Sequence, residues 1–268
     1  MSSTIWASHR VEAFNTAKES ENRIHDDSVA RRFGFTGGLV PGVDVYAYMT
    51  HPPVARWGRA WLEHGTAECR FGKPVYDGEI AVVSAAPMSE GMTLSVDSQG
   101  TQCATGAAAL PPAQAAPDLA QWSVPPAPPE NRPPADAASL AEGRWLGVRP
   151  IDANADFAGK YYAAVRETDP LYIRAGLIHP GLILRLCNWA LTQNVVLGPW
   201  IHVGSSVQNF AAGRVGDALS VRARIVRNYT HKGHRFLDLD ALILANDRLA
   251  LARVAHTAIW LPRQVAEA

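Results

Sequence analysis

The sequence predicts an α+β fold made of two copies of one unit, each a long apolar helix wrapped by an antiparallel sheet. Three observations lead there: a Pro-Gly pair opening an apolar stretch in each half, strand-like runs downstream of it, and a proline-rich segment between the halves.

In the first half, Leu39-Val40-Pro41-Gly42 precedes Val43, Val45, Tyr46 and Met49, and the stretch is expected to end at His51-Pro52-Pro53. In the second, Ile178-His179-Pro180-Gly181 precedes Leu182, Ile183, Leu184, Leu186, Trp189, Ala190 and Leu191. Both stretches are apolar nearly all round, which suits a helix enclosed by other elements. Pro41 and Pro180 stand 139 residues apart, as do Phe71 and Phe210; Gly78 and Gly216 stand 138 apart. Ordered recurrence at one offset indicates a duplication.

Each Gly-acid pair (Gly78-Glu79, Gly216-Asp217) begins a strand-like run. The first is Ile80, Val82, Val83. The second is Leu219, Val221, Ala223, Ile225, with Ser220, Arg222 and Arg224 at the alternate positions, the period of a sheet with one wet face. His234 to Leu244 and Leu249 to Leu261 are two further predicted strands. An initial helix and a loop are expected ahead of each central helix. Residues 109–140 are the predicted linker: proline removes backbone donors and pushes its predecessor to extended geometry, and Trp122 is expected to pin the segment onto a folded unit. The units are then residues 1–108 and 141–268.

Composition bounds the function. Hydrophobic residues make up 47% and charged residues 19%, which supports a packed core rather than disorder. Lys+Arg and Asp+Glu are both 25, so nothing draws the whole chain to nucleic acid or an anionic membrane. No window approaches the roughly 18 uninterrupted apolar residues of a membrane span, and the first residues carry no apolar leader; the expected address is the cytoplasm. Cys69, Cys103 and Cys187 are too scattered for a zinc site or a disulfide framework and read as buried thiols. No phosphate loop or nucleophile elbow is present.

Chemistry concentrates in Ala13–Ser28. His25 is expected on a loop entering the core, where a histidine can take or give a proton near neutrality. Asn22 could orient that ring or bind a carbonyl; the alternative is a turn histidine bonded to the Asp26/Asp27 backbone. Asp44, in the first turn of the central helix, suits the helix dipole; its place there also resembles that of the acidic residue on the central helix of hot-dog thioesterases, which implies that it could instead activate water.

The stretch Asn22-Arg23-Ile24-His25, then Phe33-Gly34, Val40-Pro41-Gly42 and Phe71-Gly72-Lys73-Pro74-Val75-Tyr76-Asp77-Gly78-Glu79, resembles the MaoC-like dehydratase and (R)-specific enoyl-CoA hydratase family. The second half, with Thr168-Asp169-Pro170-Leu171-Tyr172 and His179-Pro180-Gly181, looks like the partner unit of its two-domain members. The resemblance implies a double hot-dog fold and a CoA-thioester substrate, with no separate cofactor and no metal. It places His25 as acid/base, Asn22 beside it, and the Gly42 N–H as the donor that holds the thioester oxygen; the alternative for Gly42 is a helix-start residue needed for close packing. It also exposes a departure: Ser20 stands where the family has an aspartate, and Arg23 where it has proline. Glu19 and Glu21 flank that position. Tyr172 takes the histidine position of the second half, which is therefore expected to form a substrate-binding wall. Arg31-Arg32, Lys73, Arg222, Arg224, Arg227, Lys232 and Arg235 are the cations available to CoA phosphates. The expected activity is hydration or dehydration of an acyl-CoA; the alternatives are acyl-CoA hydrolysis through Asp44, or a non-catalytic acyl or small-ligand binder. A homodimer of the whole chain is also plausible.

Overall fold

The computed structural model describes residues 6, 8–32 and 34–266. Phe33, part of the motif above, lies outside them. Among the described residues eleven strands form one antiparallel sheet: β1 (His9–Glu12), β2 (Thr66–Phe71), β3 (Ile80–Met88), β4 (Gly91–Ser98), β5 (Thr101–Ala109), β6 (Trp145–Leu146), β7 (Ile151–Asp152), β8 (Ile201–Asn209), β9 (Ala218–His231), β10 (His234–Ala245) and β11 (Leu249–Leu261). The helices are α1 (Asp27–Arg32), α2 (Gly42–Trp57), α3 (Arg59–His64), α4 (Ala155–Ala164), α5 (Leu171–Ala175), α6 (Gly181–Thr192) and α7 (Arg263–Ala266).

The strand order is β1-β3-β4-β5-β2-β8-β11-β10-β9-β6, with β7 also on β9. Counted outward from the β2–β8 seam the two halves have the same plan: β2-β5-β4-β3-β1 on one side, β8-β11-β10-β9 and then β6 and β7 on the other. Phe71 closes β2 and Phe210 directly follows β8, so the repeated phenylalanines mark equivalent seam strands. Across the seam Cys69 faces Ser205 and Arg70 faces Gly204. The sheet wraps α2 and α6, which also pack against each other.

The predicted strands form where alternation placed them. Val221, Ala223 and Ile225 are buried while Arg222 and Arg224 point outward. On the outer face Asp238 accepts from Arg227 Nε at 2.7 Å and Asp240 from Arg253 Nε at 2.8 Å. Solvated pairs of this kind contribute about 0–1 kcal/mol each, so the buried face carries the stability. All three cysteines are buried free thiols.

Two local expectations need correction. Among the described residues the first half does not open with a helix: His9–Glu12 pairs with Ile80–Val83 as an edge strand, because Val11 alternates into the core between exposed neighbours. The central helix also does not end at His51-Pro52-Pro53 but runs on to Trp57. Two prolines cost two backbone hydrogen bonds, and the burial of Pro53, Val54 and Trp61 holds the path regardless.

The proline-rich segment is extended and tied down. Trp122 is 8% exposed, packed on Leu242, Leu244 and Ala250, and Arg222 donates to the Trp122 carbonyl at 2.8 Å. Further on, Ala135 N–H bonds the Val196 carbonyl. Arg132 reaches Thr192 O at 2.6 Å and pairs with both Glu21 oxygens at 2.8 and 2.9 Å. The bridge therefore touches the loop that carries His25.

Candidate active site

His25 ends a short 3-10 turn (Arg23–His25) rather than an open loop. Its Nδ1 lies 2.7 Å from the Leu39 carbonyl, which can only accept, so Nδ1 carries the proton and Nε2 the lone pair. Burial pulls its pKa below the ordinary 6.5, opposed by the Leu39 carbonyl and by Asp44. The ring is thus held as a neutral base. Asn15, 2% exposed, braces the turn by donating to the His25 carbonyl at 2.9 Å.

Asn22 Nδ2 lies 3.4 Å from His25 Nε2, toward which one of its two N–H groups can donate, and the same amide also engages the second half. It donates to Trp200 O at 3.0 Å and its Oδ1 accepts from Trp200 N at 3.3 Å. Asn22 thereby ties the His25 turn to the second half through main chain, whatever side chain stands at 200.

Gly42 is the first residue of α2, and among the described residues neither its N–H nor that of Val43 has a hydrogen-bond partner. Such free N–H groups at a helix start suit an oxygen that gains negative charge. A Cβ at Gly42 would stand 3.0 Å from His202 Nδ1 and 3.2 Å from the Phe71 ring, so the missing side chain also makes room for the second half. At Gly181, the equivalent helix start, His179 Nδ1 accepts the N–H at 3.1 Å. Tyr161 Oη would lie 2.2 Å from a Cβ at that position, and Tyr172, 1% exposed, packs on the His179 ring at 4.8 Å between centroids. One helix start is open and its copy is plugged.

Two cavities meet at the open end. One, about 320 Å³, has Thr16, Ser20, Glu21, Arg132, Arg185 and Gln193 on its wall. The other, about 260 Å³, is mostly apolar, with Ile24, Phe35, Leu39, Val45, Val75 and Ile259. Asn22, His25, Pro41, Asn188 and Trp200 line both. Asn188 Oδ1 and Trp200 Nε1 are buried without hydrogen-bond partners among the described residues, two polar atoms left for whatever fills the space.

No carboxylate touches the His25 ring among the described residues. Glu19 is exposed, Glu21 is held by Arg132 at the mouth, and Asp26 caps α1 through Ser28 N at 2.9 Å and Val29 N at 3.1 Å. Asp44 is fully buried: its Oδ2 accepts from Thr16 Oγ1 at 2.6 Å and its Oδ1 pairs with Arg185 of α6. It joins the two central helices and does not line either cavity, a poor place from which to activate water. Ser20 does face the 320 Å³ cavity. Of the proposed phosphate-binding cations Lys73 lines the 260 Å³ cavity, whereas Arg222 holds the linker, Arg227 pairs with Asp238, and the Arg32 side chain lies outside the described residues.

Sequence reasoning passed over His202, Ser205 and His256, a buried chain in the second half. His202 Nε2 and His256 Nδ1 each lie 2.9 Å from Ser205 Oγ. Burial pushes His256 down to about 3 and, with the neighbouring His256, takes His202 well below 6.5. The signal was weak because lone histidines inside strands look like ordinary wet-face residues. Both groups stay neutral in the fold while the unfolded chain protonates below about pH 6.5, so stability is present above that pH and lost below it. Each contributes a slope of about 1.4 kcal/mol per pH unit, down to about pH 3 for His256. Denaturant titrations at pH 7 and pH 5 check this: His256→Leu should show a smaller loss than the wild type, and equal losses would refute it.

No family model matches the sequence, and no curated protein does. Solved structures do. A candidate MaoC domain dehydratase from Chloroflexus aurantiacus superposes with a TM-score of 0.64 at 11% identity, over 97% of this chain and 95% of that one. A conserved hypothetical protein of Mycobacterium tuberculosis with a double hot-dog fold gives 0.65 at 14% identity, over 97% and 96%. A MaoC-like dehydratase gives 0.59 at 10% identity, over 95% and 98%.

The fold is a double hot dog. Within it the open helix start lies in the N-terminal hot dog, and the C-terminal one closes the cavity with Asn188, Trp200 and His202. Among the described residues no cluster of three or more His, Cys, Asp or Glu side chains could hold a metal ion, and no helix is long and apolar enough to cross a membrane.

Proposed function

We propose that the protein is a hydro-lyase acting on an acyl-CoA thioester. The observation that carries this is the meeting, at one mostly apolar cavity, of the His25 Nε2 lone pair and a Gly42 N–H that is unpaired among the described residues. The MaoC-like dehydratases among the structural neighbours support it at the level of fold.

In the hydration direction, His25 Nε2 takes a proton from water as the water oxygen bonds to Cβ of a trans-2-enoyl thioester. The double-bond electrons move toward the thioester oxygen, which the Gly42 N–H holds. The resulting imidazolium then protonates Cα, returning His25 to its neutral form, so that one histidine performs both transfers where the family uses an aspartate as well. The acyl group would occupy the 260 Å³ cavity, with Lys73 at its edge toward a CoA phosphate. The purified chain and trans-2-enoyl-CoAs with short, medium and aromatic acyl groups suffice for the test. Loss of the conjugated enoyl absorbance is expected for at least one of them.

A binding-protein role is favoured by the lack of a carboxylate beside His25. Thermal stabilisation by every thioester tried, with turnover of none, would select it over the hydro-lyase. Release of free CoA from a saturated acyl-CoA would select hydrolysis.

A further inference from the structure

His202, on β8, is 6% exposed and lines the 260 Å³ cavity. Its Nδ1 is buried without a hydrogen-bond partner among the described residues and lies against Gly42, where a Cβ would be 3.0 Å away. Behind it run Ser205 and His256; the two imidazoles stack with centroids 4.1 Å apart and planes 20° from parallel. His256 Nε2, at the far end, is also buried and partnerless among the described residues.

Two proton orders satisfy this chain. In the first, His202 Nε2–H donates to Ser205 and Ser205 donates to His256 Nδ1. That strands an N–H on His256, which is 0% exposed and is not on the wall of the 260 Å³ cavity. In the second, His256 Nδ1–H donates to Ser205 and Ser205 donates to His202 Nε2. The remaining N–H is then His202 Nδ1, on the cavity wall. An unpaired N–H in dry protein bears its whole desolvation cost, whereas one at a cavity is satisfied by water or ligand. The second order is the more stable.

We propose that His202 Nδ1–H is a second donor to the thioester oxygen, beside the Gly42 N–H, with Ser205 and His256 as positioning residues that hold its tautomer. This rests on the thioester-binding role proposed above. It holds equally for turnover and for binding, because either places a carbonyl at the start of α2. Burial keeps the ring neutral, and the charge-bearing groups facing it are few: His256 lowers its pKa and the Gly204 carbonyl raises it. A neutral imidazole can donate without putting a net charge into the cavity.

The test uses the full chain with crotonyl-CoA labelled with carbon-13 at its carbonyl, and reads the bound carbonyl stretch by infrared difference spectroscopy. The wild type should shift the band to lower frequency than in water. His202→Leu should lose a large part of that shift, Ser205→Ala a smaller part, and His202→Asn, whose amide nitrogen reaches the Nδ1 position, should restore it. Where turnover is seen, His202→Leu should lower kcat by about 10²-fold with little change in KM. Equal band positions for bound wild type, His202→Leu and Ser205→Ala would overturn the donor role and leave the hydro-lyase function standing. No bound wild-type signal would overturn both. Should His202→Leu not fold, Ser205→Ala, the milder change, decides by the same band.

Discussion

His25→Ala is expected to reduce enoyl-CoA hydration by at least about 10²-fold, and by as much as 10⁴-fold, the span that one positioned acid/base contributes. Nothing in the cavity can take over. The nearest acids are engaged: Glu21 with Arg132, Asp26 with the first turn of α1, and Asp44 with Arg185 and Thr16. Ser20 bears no charge, and Asn22 is a neutral amide that can orient the ring but cannot take its proton. The substitution removes a bond to the Leu39 carbonyl but leaves Asn15 holding the turn through the residue 25 carbonyl, so the fold should persist. Hydration by the wild type should also keep its acid limb below pH 6.5, since burial depresses the His25 pKa and the neutral base survives to lower pH. His25→Ala protein with full hydration would remove His25 from the chemistry, and an acid limb above 6.5 would show that some other group is the base.

The second large effect is structural. Arg185→Met is expected to destabilise the protein by about 3–5 kcal/mol, because it leaves a buried carboxylate uncompensated. Asp44 has no exposed surface, and Thr16 supplies only one neutral hydrogen bond in place of the guanidinium. The Arg185 guanidinium also sits over the Tyr161 ring at 4.9 Å, and methionine brings no cation to that ring. Asp44→Leu combined with Arg185→Met should recover most of the stability, since it removes both charges from the interface of α2 and α6. Denaturant unfolding of the two single variants and the pair measures this. A change below about 1 kcal/mol for Arg185→Met would show that the pair behaves as a solvated surface bridge. Hydrolysis through Asp44 would require freeing a carboxylate that holds the central helices together, which is why the geometry favours His25.

Much of the architecture was legible because it depends on local pattern. The Asp238/Asp240 alternation marked the strand from His234 to Leu244, which runs one residue further, and Leu249–Leu261 is a strand with the bounds read from the sequence. The 139-residue offset between Phe71 and Phe210 followed from equivalent strands at the seam. Where local signals misled, a longer-range term won: the Pro52-Pro53 break was overridden by packing of Pro53 and Val54, and His9–Glu12 became a strand because β3 offered it an edge. At the site, His25, Asn22 and Gly42 were visible as a motif, with Asn22 expected beside the His25 ring, yet its second partner was not. Its partner, Trp200, is 178 residues away.

The sequence alone determined the duplicated α+β unit, since hydrophobic period and chain breaks are local properties and the repeated spacing can be counted, while the double hot dog was what the family resemblance implied. It also determined that a histidine enters the core ahead of one central helix. Tertiary structure decided which of the two helix starts is open. Gly42 and Gly181 follow the same Pro, but His179 accepts the Gly181 N–H and Tyr161 fills the space above it, while nothing accepts the Gly42 N–H among the described residues. It decided the fate of Asp44 as well, because only the crossing of α2 and α6 brings Arg185 to it. And it brought His202, Ser205 and His256 into one line, which requires β8 and β11 to be paired before the three side chains can meet. Pairings between distant segments carry no signature in either segment, and the chemistry of this cavity is made of such pairings.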